Sequence, residues 1–300
     1  MRNTWDLSIR LGWIIGLALV IITLGATVAL VVFAAISPIS IWTFVMSIGA
    51  LITMTLALRL IYQLWGLINA SYEMDRNAVI IHWGSTHYQI PMVSVRRVLS
   101  GADIEGTRIR LGVRWPGYFV GLGQAEEIGP ILFYATRPLA QQVIICTEGM
   151  AYAISPNDLT EFLQAFGERL DMGPTQEVEE LSTHPAFLNW EIWRDRVGLL
   201  TLTGSFLLLL LLVGLLCWRY PYLPPEIATR FTPTGDPLLT VQASRIFYFA
   251  LMGTGFLFLN TILGFLLYHR ERRACYFLWS GMLAIQSILW IAVVAILLQQ

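Results

Sequence analysis

The chain has 300 residues, 56% of them hydrophobic and 13% charged, and a net charge of -1. A soluble globular domain carries about 25% charged residues, so one large water-soluble core is excluded and membrane spans are indicated. The balanced charge removes the basic field that nucleic-acid binding needs, and all 19 basic residues are arginine, which excludes a Schiff-base or phosphate-loop lysine.

Five apolar runs reach the roughly 20 residues that a bilayer-spanning helix takes. The first, "LGWIIGLALVIITLGATVALVVFAAI" (11–36), is about twice as long as the apolar part of a signal peptide and reads as a retained anchor. "SPIS" turns the chain into the second run, 41–68, so the two predict an antiparallel hairpin. Arg59 lies within that second run. An intramembrane charge can mark an ion pathway, but Tyr62 and Trp65 follow as interface anchors, which favours snorkelling.

Residues 70–171 break the apolar pattern and alternate as strands do. "SYEM", "AVIIHWG" and "THYQIP" are short strands separated by Asp75-Arg76-Asn77 and by Gly84-Ser85. "RWPGYFVGLGQAEEIGPILFYATRP" is rich in Gly and Pro and predicts loops and bends around a strand at "PILFYAT". "QVIICTEGMAYAIS" predicts a hairpin whose two-residue turn is Glu148-Gly149, with Gly149 free to take a positive φ. A helix then follows "SPND", with Ser155 as N-cap, Pro156 in the first turn and Asp158 completing a capping box. Leu159, Phe162, Leu163, Phe166 and Leu170 give it one apolar face.

Seven or so antiparallel strands and one closing helix describe a pleckstrin-homology-like barrel. "IHWGSTHYQIPMVSVRRV", "PGYFVGLG", "LFYATRP" and "VIICTEGMAYAISPNDLTEFLQAF" resemble a bacterial PH-domain family of membrane proteins, over residues 70–170. The resemblance implies a fold and little about activity. The expected fold class is therefore a five-helix membrane protein with an inserted α+β PH-like domain, an antiparallel barrel closed by its C-terminal helix.

Several residues of this insert are candidate contacts. Arg96, Arg97, Arg108, Arg110 and Arg114 crowd into one short stretch, and a cationic face would attract anionic lipid or a protein partner. The alternative is a solvated face partly offset by Asp103 and Glu105. His82 and His87 read as ordinary strand histidines, because no further metal ligands stand beside them in the sequence.

"DMGPTQEVEELSTHP" reads as an acidic linker and "AFLNWEIWRDR" as an interfacial helix, together 172–196. Three further spans follow at 197–218, 246–268 and 275–298, so the chain divides into a hairpin at 1–69, the insert at 70–171, this linker, and a helical part at 197–300. Asn260 and Gln286 are expected to hydrogen-bond between helices. Arginines before the first span, before the third span and in "HRERR" (269–273) fall on one side, which predicts a cytoplasmic N-terminus and insert in the inner membrane and a C-terminus outside.

The opposite side carries the proline-rich loop 219–244. Its "LPPEIATRFTPTGDP" resembles a signature, "LP..I..HF...G.P", of a short membrane domain found in toxin-immunity-type proteins, with Arg230 where His is usual. That implies an extracytoplasmic recognition surface using Glu226, Arg230 and Asp236, the alternative being a loop folded over the helix ends. Cys146, Cys217 and Cys275 form no paired motif and predict neither a disulfide nor a zinc site. No Ser-His-Asp set, HExxH or phosphate loop is recognisable, and "GVRWPGYFVGLG" lacks the strand and helix around it that a nucleotide site needs. The expectation is a non-enzymatic protein without cofactor or metal. Its PH-like domain binds lipid or protein, with a sensor or immunity role for the outer loop as the alternative and a membrane enzyme or transporter ranked below both.

Overall fold

The computed structural model describes residues 3–104, 107–126, 128–173, 175, 176, 178, 181–183, 192, 195–231, 237–268 and 270–299. The chain divides into two compact units, Met1–Ala26 with Thr53–Ala186, and Thr27–Ile52 with Phe187–Gln300. Among the described residues, five helices are long and apolar enough to cross a membrane: α1 (Arg10–Ile36), α2 (Ile41–Ile68), α4 (Arg196–Arg219), α5 (Phe247–Leu267) and α6 (Arg272–Leu298). Their large apolar side chains are widely exposed, for example Ile21, Leu200, Leu266 and Phe277. Apolar exposure on that scale fits a hydrocarbon solvent rather than water. The chain is a multi-pass membrane protein.

The first unit holds two sheets. One runs in the order β1 (Asn3–Trp5), β2 (Ser71–Met74), β3 (Ala78–Trp83), β4 (Thr86–Pro91), β11 (Leu181–Thr183). The other runs β5 (Arg97–Ser100), β9 (Val143–Cys146), β10 (Ala151–Ile154), β8 (Gly129–Ala135), β7 (Tyr118–Ala125), β6 (Arg108–Trp115). They do not close into the expected barrel. The chain leaves β4 through a short turn at Met92–Ser94 and starts the second sheet instead of continuing the first. Nor is every pair antiparallel, because β10 lies parallel to β8.

Aromatic rings fill the space between the sheets. Trp83 meets Tyr118 and Tyr134 at ring-centroid distances of 5.8 and 5.5 Å, and Tyr88 meets Tyr134 and Tyr152 at 5.4 and 5.9 Å. The fully buried Tyr72 of β2 ties the sheets together. Its hydroxyl donates to the Tyr134 carbonyl at 2.6 Å and accepts from the Ser155 amide at 3.1 Å. Strands β9 and β10 are buried at every position because both faces are covered. Val143, Ile145, Tyr152 and Ile154 face the aromatic core, while Ile144, Cys146, Ala151 and Ala153 join Ile104, Ile131 and Phe133 in a second cluster.

The Gly- and Pro-rich section is mostly strand, contrary to the loops expected from composition. Pro116-Gly117 forms the two-residue turn between Trp115 and Tyr118, with Gly117 at φ +86°. Gly112 pairs with Gly121, where a Cβ on either would strike the other's backbone. These glycines permit close strand approach rather than breaking the sheet.

The later turn and helix also depart in detail from expectation. Gly149 does not take a positive φ. The Thr147 amide and hydroxyl both donate to the Met150 carbonyl, at 3.0 and 2.8 Å, and so close the Glu148-Gly149 turn. Helix α3 (Leu159–Met172) is capped by Asp158, whose Oδ1 accepts from the Glu161 amide at 2.9 Å. Ser155 is fully buried and accepts from the Thr136 amide at 2.7 Å, so it serves the core and not the helix end. At the other end of α3, Arg76 donates to the Met172 and Gly173 carbonyls.

Residues on both sides of the expected insert belong to its sheets. β1 pairs with β2, Trp5 packs edge-on against Phe162 at 5.3 Å, and the Asn157 amide donates to the Asp6 carbonyl at 3.0 Å. β11, inside the expected linker, pairs with β4. Most of the expected interfacial helix lies outside the described residues.

Gly12 and Gly16 in α1 mark where the helix hairpin joins this unit. The Trp115 indole donates to the Gly12 carbonyl at 3.0 Å, and a Cβ at Gly12 would collide with the Gly117 carbonyl. We expect Gly12→Val to lower stability by about 1–3 kcal/mol through overpacking, read as a drop in the thermal midpoint of the detergent-solubilised protein. Gly25→Ala is the control, because nothing lies within 4 Å of its added Cβ, and it should leave the midpoint unchanged.

Candidate functional site

The second sheet separates the five arginines that the sequence crowds together. Arg96 and Arg97 lie at the β5 edge, whereas Arg108, Arg110 and Arg114 lie on β6 at the opposite edge, with four strands between. At strand spacings of about 4.8 Å the two groups stand roughly 24 Å apart. Arg96 pairs with Glu148 across exposed surface. Arg97 lies beside Cys146, where burial pushes the thiol's pKa up and the guanidinium opposes that rise. A β-bulge between Ile109 and Leu111 interrupts the strand at exposed Arg110. Arg108 is described for its backbone alone.

Among the described side chains of these five, Arg114 meets a second cation in a shaped site. It lines a cavity of about 610 Å³ together with Ser8, Leu11, Phe119, Arg137 and Gln141. Three remote segments build it. The Pro116-Gly117 turn is held against α1 by the Trp115 bond and by the stacking of Trp115 on Tyr118 at 4.1 Å. The N-terminal segment is held by the bridge between Leu7 and Pro156. Arg137 is oriented by its bond to Asn157 Oδ1 at 2.8 Å. Both ionisable lining residues are cationic, and the first turn of α1 adds the positive end of its helix dipole. An anion here meets two guanidinium forks suited to phosphate or carboxylate.

Residues 70–170 match the bacterial PH domain family. That segment covers a third of the chain and contains Arg114 and Arg137, while Ser8 and Leu11 lie outside it. No curated protein and no solved structure matches the chain. Within the PH-like region, His82 and His87 are directly cross-strand, with rings 4.7 Å apart, and His82 Nε2 stands 3.3 Å from Glu73 Oε2.

In the second unit the proline-rich loop is a β-hairpin, β12 (Glu226–Phe231) with β13 (Pro237–Gln242). Ile227 is buried with Leu212, Leu216 and Val293 of the helices, so the hairpin is folded onto their ends. Glu226 lines an open cavity of about 550 Å³ beside Pro224, Pro225 and Gln242. Arg230 is described for its backbone alone, and Asp236 lies outside the described residues. Gln286 makes the interhelical bond expected of it, Nε2 donating to the Gly253 carbonyl at 2.8 Å. Asn260 instead donates to the Phe256 carbonyl of its own helix at 2.9 Å.

A buried carboxylate in this unit has no counterpart in the sequence reading. Asp195 caps α4 through the Val197 and Gly198 amides, both at 3.1 Å. It also accepts from the Tyr276 hydroxyl at 2.6 Å and the Tyr268 hydroxyl at 3.0 Å, and pairs with Arg272 at 3.3 Å. The available signal was an Asp just before an apolar run, an N-cap in itself; the tyrosines lie more than seventy residues away and could not be read locally. Burial works against the charge, but the bonds from Tyr276, Gly198, Tyr268 and Arg272 outweigh it and hold the pKa at about 2 against an ordinary 3.8.

A lowered folded pKa means that this stabilisation is present above about pH 4 and is lost as pH falls toward 2. We expect Asp195→Asn to cost about 2 kcal/mol at pH 7, as for a hydrogen bond to a charged group. Thermal midpoints of wild type and variant, followed from pH 7 downward, should begin to approach each other below about pH 4 and meet as the pH nears 2.

Proposed function

We propose that this multi-pass membrane protein is a non-enzymatic binding protein whose PH-like region holds the anionic headgroup of a membrane lipid. The observation that carries this reading is the convergence of Arg114, Arg137 and the first turn of α1 on one cavity. Its position favours lipid over a soluble anion, because Leu11 and Trp13, exposed on α1, begin the apolar span beside it. A phosphate accepting from both guanidiniums leaves its acyl chains running along α1. Each charge near the surface contributes about 1 kcal/mol.

We place the N-terminus and the PH-like region on the cytoplasmic side of the inner membrane, from the arginine distribution. The pairing of β1 with β2 supports a common side, since one strand precedes α1 and the other follows α2. Five spans then leave the C-terminus outside. A second reading assigns recognition to the loop 219–244, with Glu226, Arg230 and Asp236 as its polar contacts; the cavity beside Glu226 favours it. A protein partner, rather than lipid, is the corresponding alternative for the PH-like region.

The double variant Arg114→Gln/Arg137→Gln should weaken retention of phosphatidylglycerol by the full-length, delipidated protein on the order of 30-fold, the equivalent of about 2 kcal/mol. Native mass spectrometry reads this directly, and unchanged retention would move recognition to the outer loop or to a protein partner. For the topology, a reporter fused after Gln300 should be active only outside the inner membrane; cytoplasmic activity there sinks the orientation.

A further inference from the structure

Arg59 of the first unit is a charge within a helix long and apolar enough to cross a membrane. It lies about 13 Å short of the end of α2, at 1.5 Å per residue. Its side chain is exposed, and it has no hydrogen-bond or ion-pair partner among the described residues. Snorkelling alone would carry it to the interface, but the structure gives it a cavity of about 270 Å³ between α2 and the sheets.

The walls of that cavity present donors. Around Arg59 stand Tyr62, Gln63, Trp83, Thr86 and Tyr118. The Trp83 indole N–H is buried and makes no hydrogen bond of good geometry among the described residues, the Tyr118 hydroxyl being the acceptor beside it. A buried donor left without a good bond is costly and marks a place for an acceptor. The Tyr62 hydroxyl is fixed by Ser85 at 2.8 Å. Gly66 of α2 lies so near Gly84 that a Cβ on Gly84 would come within 2.9 Å of its Cα, so the helix rests directly on the β3–β4 turn and the walls are set.

We propose that this cavity binds the phosphate group of an anionic phospholipid. The Arg59 guanidinium neutralises the phosphate, and the Trp83 N–H with the Gln63 amide supplies further donors. Among the described residues no carboxylate lines the cavity, and the fixed guanidinium charge opposes the choline or ethanolamine cation of a zwitterionic lipid. The acyl chains continue past the exposed Leu56, one turn further along α2. This site shares no residue with the cavity at Arg114 and Arg137, and it does not rest on that assignment.

The test uses the full-length, delipidated protein in detergent. Native mass spectrometry measures retention of phosphatidylglycerol, phosphatidylcholine and inorganic phosphate by wild type, Arg59→Gln, Arg59→Lys and Trp83→Phe, all in the Arg114→Gln/Arg137→Gln background. We expect tight retention of phosphatidylglycerol alone, a loss of tenfold or more in Arg59→Gln, and partial recovery in Arg59→Lys. Trp83→Phe should weaken retention several-fold. Because Arg59 is exposed, its variants should keep the wild-type thermal midpoint without lipid. Equal retention by Arg59→Gln and wild type overturns the site, whatever the outcome at Arg114 and Arg137. Equal retention of phosphatidylcholine overturns the anionic preference, and displacement by inorganic phosphate reassigns the cavity to soluble anions.

Discussion

The bond from the Trp115 indole to the Gly12 carbonyl fixes how a sheet domain and a membrane helix hairpin can form one unit. A membrane helix satisfies its own backbone, so it offers few polar handles to a neighbouring domain. Gly12 removes the side chain that would hold the sheet away, and Gly117 removes the one that would block the turn from the other direction. Both glycines are needed because the contact is backbone against backbone. Gly16 continues it by admitting Leu64 of α2 and the edge of Trp115. The cavities at Arg114 and at Arg59 follow from this docking. One opens beside the first turn of α1, and the other lies where α2 rests on the β3–β4 turn.

Inside the unit, stability is divided between apolar burial and a small set of buried polar bonds. The aromatic layer between the sheets is large and contains hydroxyls that must be satisfied. Tyr72 meets that requirement by bonding to β8 and to the residue after β10, so one phenol crosses from the first sheet to the second. Burial pushes its pKa up, which keeps it neutral and a donor. The same logic explains Ser155. A good N-cap residue was available there, but an unpaired Thr136 amide in the core claimed its hydroxyl.

The second unit depends on a comparable bond set at one end of its helices. Asp195 begins α4, and Tyr268 and Tyr276 bracket the connection between α5 and α6. Arg272 completes the site by donating to Tyr276 and lying over the Tyr268 ring at 5.5 Å. Further along the helices, Gln286 and the Trp290 indole reach carbonyls of α5 and α4. Between apolar helices in lipid there is little hydrophobic driving force, so such bonds and close packing set the arrangement.

By itself the sequence determined the five membrane helices, because span length and hydropathy are local properties of about 20 residues. It also pointed to the bacterial PH domain family that residues 70–170 match, through the hairpin at Glu148-Gly149 and the helix Leu159–Met172, whose apolar spacing needs no distant partner. It misread the section around Pro116-Gly117, because glycines that break strands in general here permit close pairing across the sheet. Only the tertiary structure decided where the charges act. Arg96 and Arg114 are close in sequence but are carried to opposite sheet edges by the strand order, and Arg114 finds Arg137 and Ser8 instead. Arg59, Trp83 and Tyr118 meet in the same way, from a membrane helix and two strands. Sequence fixes which segments must be buried, since burial is priced residue by residue. Which polar groups then share a cavity depends on long-range pairing, and no local pattern encodes it.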